Sequence, residues 1–248
     1  MARQKLGQHF LIRESILNRI AIAASPQTED LIIEIGPGRG ALTRKLLERA
    51  RRVIAIELDP FLAAHLRARF AGEERLEVIE ADVLRTDLTR WGPAPIAGNL
   101  PYYITSPILE QVLHACPPRA AFLVQKEVAD RLCAKPGSRD YGYLTVRTAF
   151  SANARKLFEV PPAAFHPPPQ VDSAVVLLEP HPPPAGIGDS DAFLRFLALC
   201  FRHKRKTLRN NLVDIYNKPL LDALPESSLR AEQLNLDDFV RIRTRLTG

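Results

Sequence analysis

Long hydrophobic runs are missing from this 248-residue chain. None approaches the ~20 apolar residues a membrane-crossing helix needs, and the opening stretch, MARQKLGQHF, lacks the apolar centre of a signal peptide. Cysteine is scarce. Cys116, Cys133 and Cys200 stand far apart in apolar surroundings, at no spacing used by zinc sites or disulfide frameworks. That predicts buried free thiols in a reducing cytoplasm. Internal repeats and low-complexity tracts are absent. Acid is in deficit, with 28 Asp and Glu against 34 Lys and Arg and a net charge of +6, which points toward a polyanionic partner. What remains is a chain with 46% hydrophobic and 25% charged residues, enough for one large α/β domain or one domain and a small appendage.

The charge is unevenly placed. Between Ala192 and Val213 stand six basic side chains and no acid: Arg195, Arg202, Lys204, Arg205, Lys206 and Arg209. Arg202, Arg205 or Lys206, and Arg209 recur at helical spacing, which predicts one helix face able to track a phosphate backbone. Arg3, Lys5 and Arg13 form a smaller acid-free group.

Along the chain, short apolar runs alternate with amphipathic ones. Strands are expected at Leu31–Ile35, Arg52–Ile56, Leu76–Ile79, before Gly98 and at Ala120–Val124. Helices are expected at Glu14–Ala24, Ala41–Arg49, Pro60–Ala71 and Gly142–Ala149, and a helix or turn at Gln125–Cys133. The first runs show no clean alternation, as in strands buried on both faces, so the pattern implies parallel βαβ units. Arg155–Val160 and Val171–Leu178 suggest an antiparallel pair at the sheet edge, joined by a proline-rich loop. Pro180–Ser190 (PHPPPAGIGDS) is a linker, and four short helices follow it. The division expected is a catalytic domain over 1–181 and a helical domain over 182–248.

Two motifs carry chemistry. Gly36-Pro37-Gly38-Arg39-Gly40-Ala41 follows the first long strand, and Glu57 lies 21 residues past Gly36, where a ribose-binding acid belongs. That fit alone leaves NAD, S-adenosylmethionine and a structural turn open. Pro37 removes a backbone N–H that a pyrophosphate would use. Gly36 and Gly38 allow close backbone approach to an amino-acid end. Asp82 and Asn99 follow two further strands, and together these features favour S-adenosylmethionine. The second motif is Asn99-Leu100-Pro101-Tyr102, with Thr105 or Ser106 as the expected cap of a helix carrying Pro107 in its first turn.

On pattern alone the tetrad is either a strand-to-turn junction with a packed tyrosine or a site for methylation of an exocyclic amino group. The Asn99 side chain and a backbone carbonyl at Leu100 or Pro101 can accept both N–H protons, turning the nitrogen lone pair toward a methyl donor. Tyr102 can stack on the base. Neither a general base nor a metal is required, because the cationic product sheds its proton afterwards. Phe165, in the proline-rich loop, either forms a second wall opposite Tyr102 or lies buried beneath the loop.

These blocks, with Gln8–Leu11, Gln125–Glu127, Glu159–Pro169, Val171–Val175, Arg205–Asn210 and Arg230–Glu232, resemble the ribosomal RNA adenine dimethyltransferases over nearly the whole chain. The branch resembled dimethylates two adjacent adenosines near the 3′ end of 16S RNA. The resemblance implies a Rossmann-like S-adenosylmethionine-dependent methyltransferase sheet of α/β class with a small all-helical C-terminal domain. It implies a cofactor site lined by His9, Leu11, Gly36, Gly38, Glu57, Asp82, Val83 and Asn99. Glu57 would take the ribose hydroxyls and Asp82 the adenine amino group; His9 stands where the family often has Asn. Asn99, Leu100, Pro101, Tyr102 and Phe165 would form the catalytic pocket, with Phe165 as the second stacking wall. Arg202, Lys204, Arg205, Lys206 and Arg209 would hold RNA. The implied partner is 16S rRNA in a small-subunit precursor, met by a cytoplasmic monomer with no membrane contact. The rivals are a 23S rRNA methyltransferase of the resistance type, a non-catalytic assembly factor and, more remotely, an NAD oxidoreductase.

Overall fold

The structure, a computed structural model, describes residues 9–247; the expectations for Arg3, Lys5 and Gln8 fall outside them. In chain order the elements are β1 (Phe10–Leu11), α1 (Glu14–Ala24), β2 (Ile32–Ile35), α2 (Ala41–Leu47), β3 (Val53–Glu57), α3 (Pro60–Arg69), β4 (Leu76–Glu80), β5 (Ile96–Asn99), α4 (Thr105–Ala115), β6 (Ala120–Gln125), α5 (Lys126–Leu132), α6 (Tyr143–Ser151), β7 (Ala152–Val160), β8 (Phe165–His166), β9 (Ser173–Pro180), α7 (Ser190–Cys200), α8 (Leu208–Leu212), α9 (Lys218–Asp222) and α10 (Leu236–Thr247).

Seven strands form one sheet in the order β4-β3-β2-β5-β6-β9-β7. β2 to β6 are parallel, and β9 runs antiparallel to β6, so the two late strands do close the edge, with β9 inside β7. Every residue of β2 and β3 is buried, which is why neither shows polar alternation. The order reverses between β2 and β5, and in an open α/β sheet the ligand crevice lies at such a switch point, beyond the strands' carboxyl ends. Gly36 leaves β2 there and Asn99 ends β5. The two strands approach so closely that a Cβ at Gly98 would run into the Ile35 carbonyl oxygen.

Aspartates start the segments leaving the strands. Asp59 caps α3 by accepting from Phe61 N at 2.8 Å, with Pro60 in the first turn, and Asp82 accepts from Leu84 N at 2.9 Å. Each such cap stabilises by about 1 kcal/mol. The end of β5 differs from expectation. Neither Thr105 nor Ser106 caps α4: a 3₁₀ turn over Tyr102–Ile104 leads straight in, and the Thr105 hydroxyl donates back to the Pro101 carbonyl at 3.0 Å.

The chain divides into two compact units, and the division differs from a cut at 181/182. Residues 9–129 with Ala154–Pro180 form the sheet unit; Asp130–Asn153 joins residues 181–247 in the other. The reason is apolar packing: Tyr141, Val146 and Phe150 are buried in one cluster with Phe193, Phe196 and Phe239. Each such large side chain contributes ~1.5–3 kcal/mol on burial. The Tyr141 hydroxyl donates to the Leu234 carbonyl at 2.6 Å, adding a polar tie.

In that second unit the basic residues do not share a helix. α7 stops at Cys200, turns occupy 201–206, and α8 holds only five residues. The buried Asn211 imposes this arrangement. Its amide nitrogen donates to the carbonyls of Cys200 at 2.9 Å and His203 at 3.3 Å, and its oxygen accepts from His203 N at 3.0 Å. Arg202, Lys204, Arg205 and Lys206 are thereby displayed on an ordered, exposed loop, whereas Arg209 is paired with Asp222. The thiols are free, but only Cys200 is buried; Cys116 ends α4 in a left-handed conformation at the surface.

Candidate active site

One cleft occupies the switch point. Its cavity volume is about 100 Å³, and it is lined by His9, Leu11, Gly36, Gly38, Glu57 and the tetrad Asn99–Tyr102, together with Phe10, Leu17, Glu34, Arg39 and Tyr103.

Its organising contact joins residues 90 positions apart: Asn99 Nδ2 donates to the His9 carbonyl at 3.1 Å. With the amide nitrogen fixed this way, Oδ1 is the end left to accept. The Pro101 carbonyl already accepts from Thr105 Oγ1 at 3.0 Å and from Ile104 N at 3.2 Å. Leu100 is anchored by its N–H on Leu123 O at 3.0 Å, and its carbonyl, unlike that of Pro101, accepts no hydrogen bond among the described residues. The Tyr102 hydroxyl shares a 2.6 Å hydrogen bond with Ser173, and its ring stacks on His9 with centroids 5.8 Å apart. His9 Nδ1 meets the Pro167 carbonyl at 2.9 Å.

Glu57 is almost fully buried. Gly38 N donates to its Oε2 at 3.0 Å and Asp59 N to its Oε1 at 2.9 Å. Burial raises its pKa, against those two donors. Asp82 stands past the end of β4, one strand beyond Glu57, outside the cleft's lining. Its charge and that of Glu57 reach Tyr103, adding to burial in raising that phenol. Val83 is 7% exposed and likewise lies outside the cleft's lining.

The expectation for Phe165 is corrected. It is 3% exposed and packs in the core that includes Leu11, Leu17 and Val160, while its backbone pairs with Leu11. An aromatic ring in the β1–β8 ladder gains more from that core than from facing water, and the ring opposite Tyr102 is His9.

Glu34 was not singled out from sequence, although an acid in the run Ile32-Ile33-Glu34-Ile35 is a visible anomaly. It is 1% exposed, lines the cleft, and its Oε2 has no hydrogen-bond partner among the described residues. Burial pushes its pKa up to about 8, with the nearby Thr43 hydroxyl opposing and Glu57 adding a little. A buried oxygen left without a partner costs ~1–3 kcal/mol, and this one belongs to a residue on the wall of the cleft.

The ribosomal RNA adenine dimethylase family matches residues 1–247. The chain belongs to that family. Among curated relatives, the ribosomal RNA small subunit methyltransferase A of Synechococcus elongatus is 41% identical over 99% of this chain and 95% of its own. That of Acidobacterium capsulatum is 45% identical over 95% and 88%. A dimethyladenosine transferase from Plasmodium falciparum superposes with a TM-score of 0.79 at 28% identity, covering 94% of this chain and 96% of that one. The 23S rRNA methyltransferase ErmE superposes at 0.72 with 30% identity over 96% and 100%.

The dimethylase is thus a Rossmann-like methyltransferase, an enzyme that dimethylates adenine in ribosomal RNA with S-adenosylmethionine as methyl donor. The cleft fits that donor chemically. The orphaned Glu34 oxygen suits an ammonium group, Glu57 keeps lone pairs for hydroxyls after its two backbone contacts, and Gly36 and Gly38 line the wall without side chains. No helix among the described residues is long and apolar enough to cross a membrane.

Proposed function

We propose that this dimethylase converts two adjacent adenosines in the 3′-terminal hairpin of 16S rRNA to their N6-dimethyl forms during small-subunit assembly. The observation that carries the reading is the fixed orientation of the Asn99 amide by the His9 carbonyl, with Oδ1 and the Leu100 carbonyl left as acceptors at the sheet's switch point.

Each acceptor takes one N–H of the flipped adenine's amino group. The nitrogen, whose lone pair is otherwise delocalised into the ring, is drawn toward tetrahedral geometry and aimed along one line. Tyr102, held by Ser173, supports the face of the base, a contact worth roughly 1–3 kcal/mol in single-strand binders. Bound S-adenosylmethionine supplies an electrophilic methyl carbon on sulfur. Glu57 takes its ribose hydroxyls, Glu34 its ammonium, and Asp82 its adenine amino group, while Leu11, Gly36, Gly38 and Val83 offer backbone. The methylated nitrogen loses its proton to solvent, and the second methyl follows by the same route.

Lys204, Arg205 and Lys206, with Arg202, meet the RNA phosphates. Arg209 is occupied by Asp222 and drops to a secondary role. The enzyme works as a monomer in the cytoplasm, where small-subunit precursors are assembled. The relatives above 40% identity bear the small-subunit name, which sets this reading ahead of the 23S one that the likeness to ErmE keeps in view.

Labelled methyl incorporation into isolated small and large subunits tests both parts. The parent is expected to label small subunits only. The Lys204→Ala, Arg205→Ala, Lys206→Ala variant should show lower RNA affinity and a shallower salt dependence, by up to about three phosphate contacts. Labelling confined to large subunits overturns the substrate; an unchanged salt slope removes the phosphate contacts.

A further inference from the structure

The carboxyl edge of the sheet carries a second cleft that the chemistry above does not use. It lies past the end of β6 with a cavity volume of about 410 Å³, within the roughly 300–1,000 Å³ of small-molecule clefts. Gln125, Gln170, Val171 and Asp172 are prominent in its wall. It neighbours the first cleft through a continuous set of contacts. Gln125 pairs in register with Ser173, and Ser173 holds the Tyr102 hydroxyl at 2.6 Å. Strands lie ~4.8 Å apart, and Asn99 at the end of β5 and Gln125 at the end of β6 stand on adjacent strands of this edge.

The chemistry of the lining selects among the parts of a nucleotide. The ammonium of Lys126 is engaged by Glu159 at 2.6 Å, while Glu127 and Asp172 bring carboxylates to the wall. The Asp172 carboxylate disfavours a phosphate here and accepts N–H from an uncharged group. The carboxamides of Gln125 and Gln170 each present a donor beside an acceptor, the pattern that matches an adenine edge. Val171, 48% exposed, and Pro162 give the apolar surface on which a flat ring can lie.

We propose that this second cleft holds the base of the nucleotide next to the one gripped at Asn99, and that it selects adenine by its N6 donor beside the N7 acceptor, where guanine has O6 instead. The inference rests on the two-adjacent-adenosine reading and deepens it. A neighbour that is still unmethylated donates N–H to the carboxamide and carboxylate oxygens; a dimethylated one has no N–H left to give. The cleft therefore makes methylation of one adenosine sensitive to the state of the other.

The test uses the full-length enzyme with S-adenosylmethionine and small subunits whose RNA carries guanosine in place of one adenosine of the pair. Mass analysis gives kcat/KM at the remaining adenosine. The parent is expected to favour an adenosine neighbour by roughly tenfold or more. Gln170→Ala, on an exposed loop, should bring that preference to within about twofold, and Val171→Ala should lower methylation of both substrates alike. Calorimetric affinity for S-adenosylmethionine should be unchanged in both variants, which a misfolded protein would not show. A parent indifferent to the neighbour, or a Gln170→Ala enzyme with the parental preference, overturns the proposal. A parent that leaves the natural adenosine pair unmethylated overturns the two-adenosine reading, and the unmodified subunits alone reveal that case.

Discussion

Replacing Asn99 with alanine is expected to lower kcat by about a thousandfold or more while S-adenosylmethionine still binds, its affinity falling by no more than roughly tenfold. The loss is large because the substitution removes the acceptor Oδ1 and also the donor that ties His9 to the end of β5. Removing one preorganised polar group at a reacting centre costs on the order of 10²–10³ in kcat, and here a second element loses its position as well. Asn99→Asp separates the two roles. It keeps oxygens for the adenine amino group and loses the N–H given to the His9 carbonyl, so it should retain measurable turnover above Asn99→Ala. Single-turnover methyl transfer with calorimetric donor binding measures both quantities. Turnover within tenfold of the parent in Asn99→Ala would remove this residue from the chemistry.

The second large effect is one of stability. Glu34 titrates at about 8 in the folded chain, against an ordinary value of 4.5, because burial disfavours its charge. A folded-state pKa above the unfolded one means that the native protein binds the extra proton. The corresponding stability is fully present below about pH 4.5 and is lost as pH rises through about 8. Glu34→Gln removes this dependence. At pH 9 the variant should be more stable than the parent by a few kcal/mol, or on the order of 5–10 °C in Tm for a chain of this size, and the two should converge near pH 5. The same variant should bind S-adenosylmethionine at least tenfold more weakly at pH 8, since a neutral amide cannot pair with an ammonium. Stability gained as binding is lost is the expected signature of a group kept for its ligand. Parallel Tm curves for parent and variant from pH 5 to 9 would show that Glu34 is not the titrating group.

Much of this site was legible in sequence because its parts are contiguous. Gly36–Ala41 and Asn99–Tyr102 are each short enough that local chemistry points to a use, and the apolar runs of β2 and β5 place them at strand ends. α1 begins and ends at Glu14 and Ala24, as its periodicity predicts. What was not legible depends on partners distant along the chain. Phe165 looked available because a proline-rich loop can present a ring or bury it, and only its pairing with Leu11 decides. The basic run from Arg202 to Arg209 has helical spacing, but the buried Asn211 draws in the carbonyls of Cys200 and His203 and breaks it into turns. The segment 130–153 has an amphipathic helix whose apolar face fits either unit; packing against Phe193 and Phe196 assigns it. Glu34 is conspicuous in an apolar strand, yet nothing local to it says that its side chain reaches a cleft.

The most direct measurement is mass mapping of modified nucleotides in small subunits that lack these methyl groups, after incubation with this enzyme and S-adenosylmethionine. The account predicts N6-dimethyladenosine at two neighbouring positions in the 3′-terminal hairpin and at no other position, with neither product formed by Asn99→Ala. Methyl groups on a different base, on a ribose, or at scattered adenosines would contradict it.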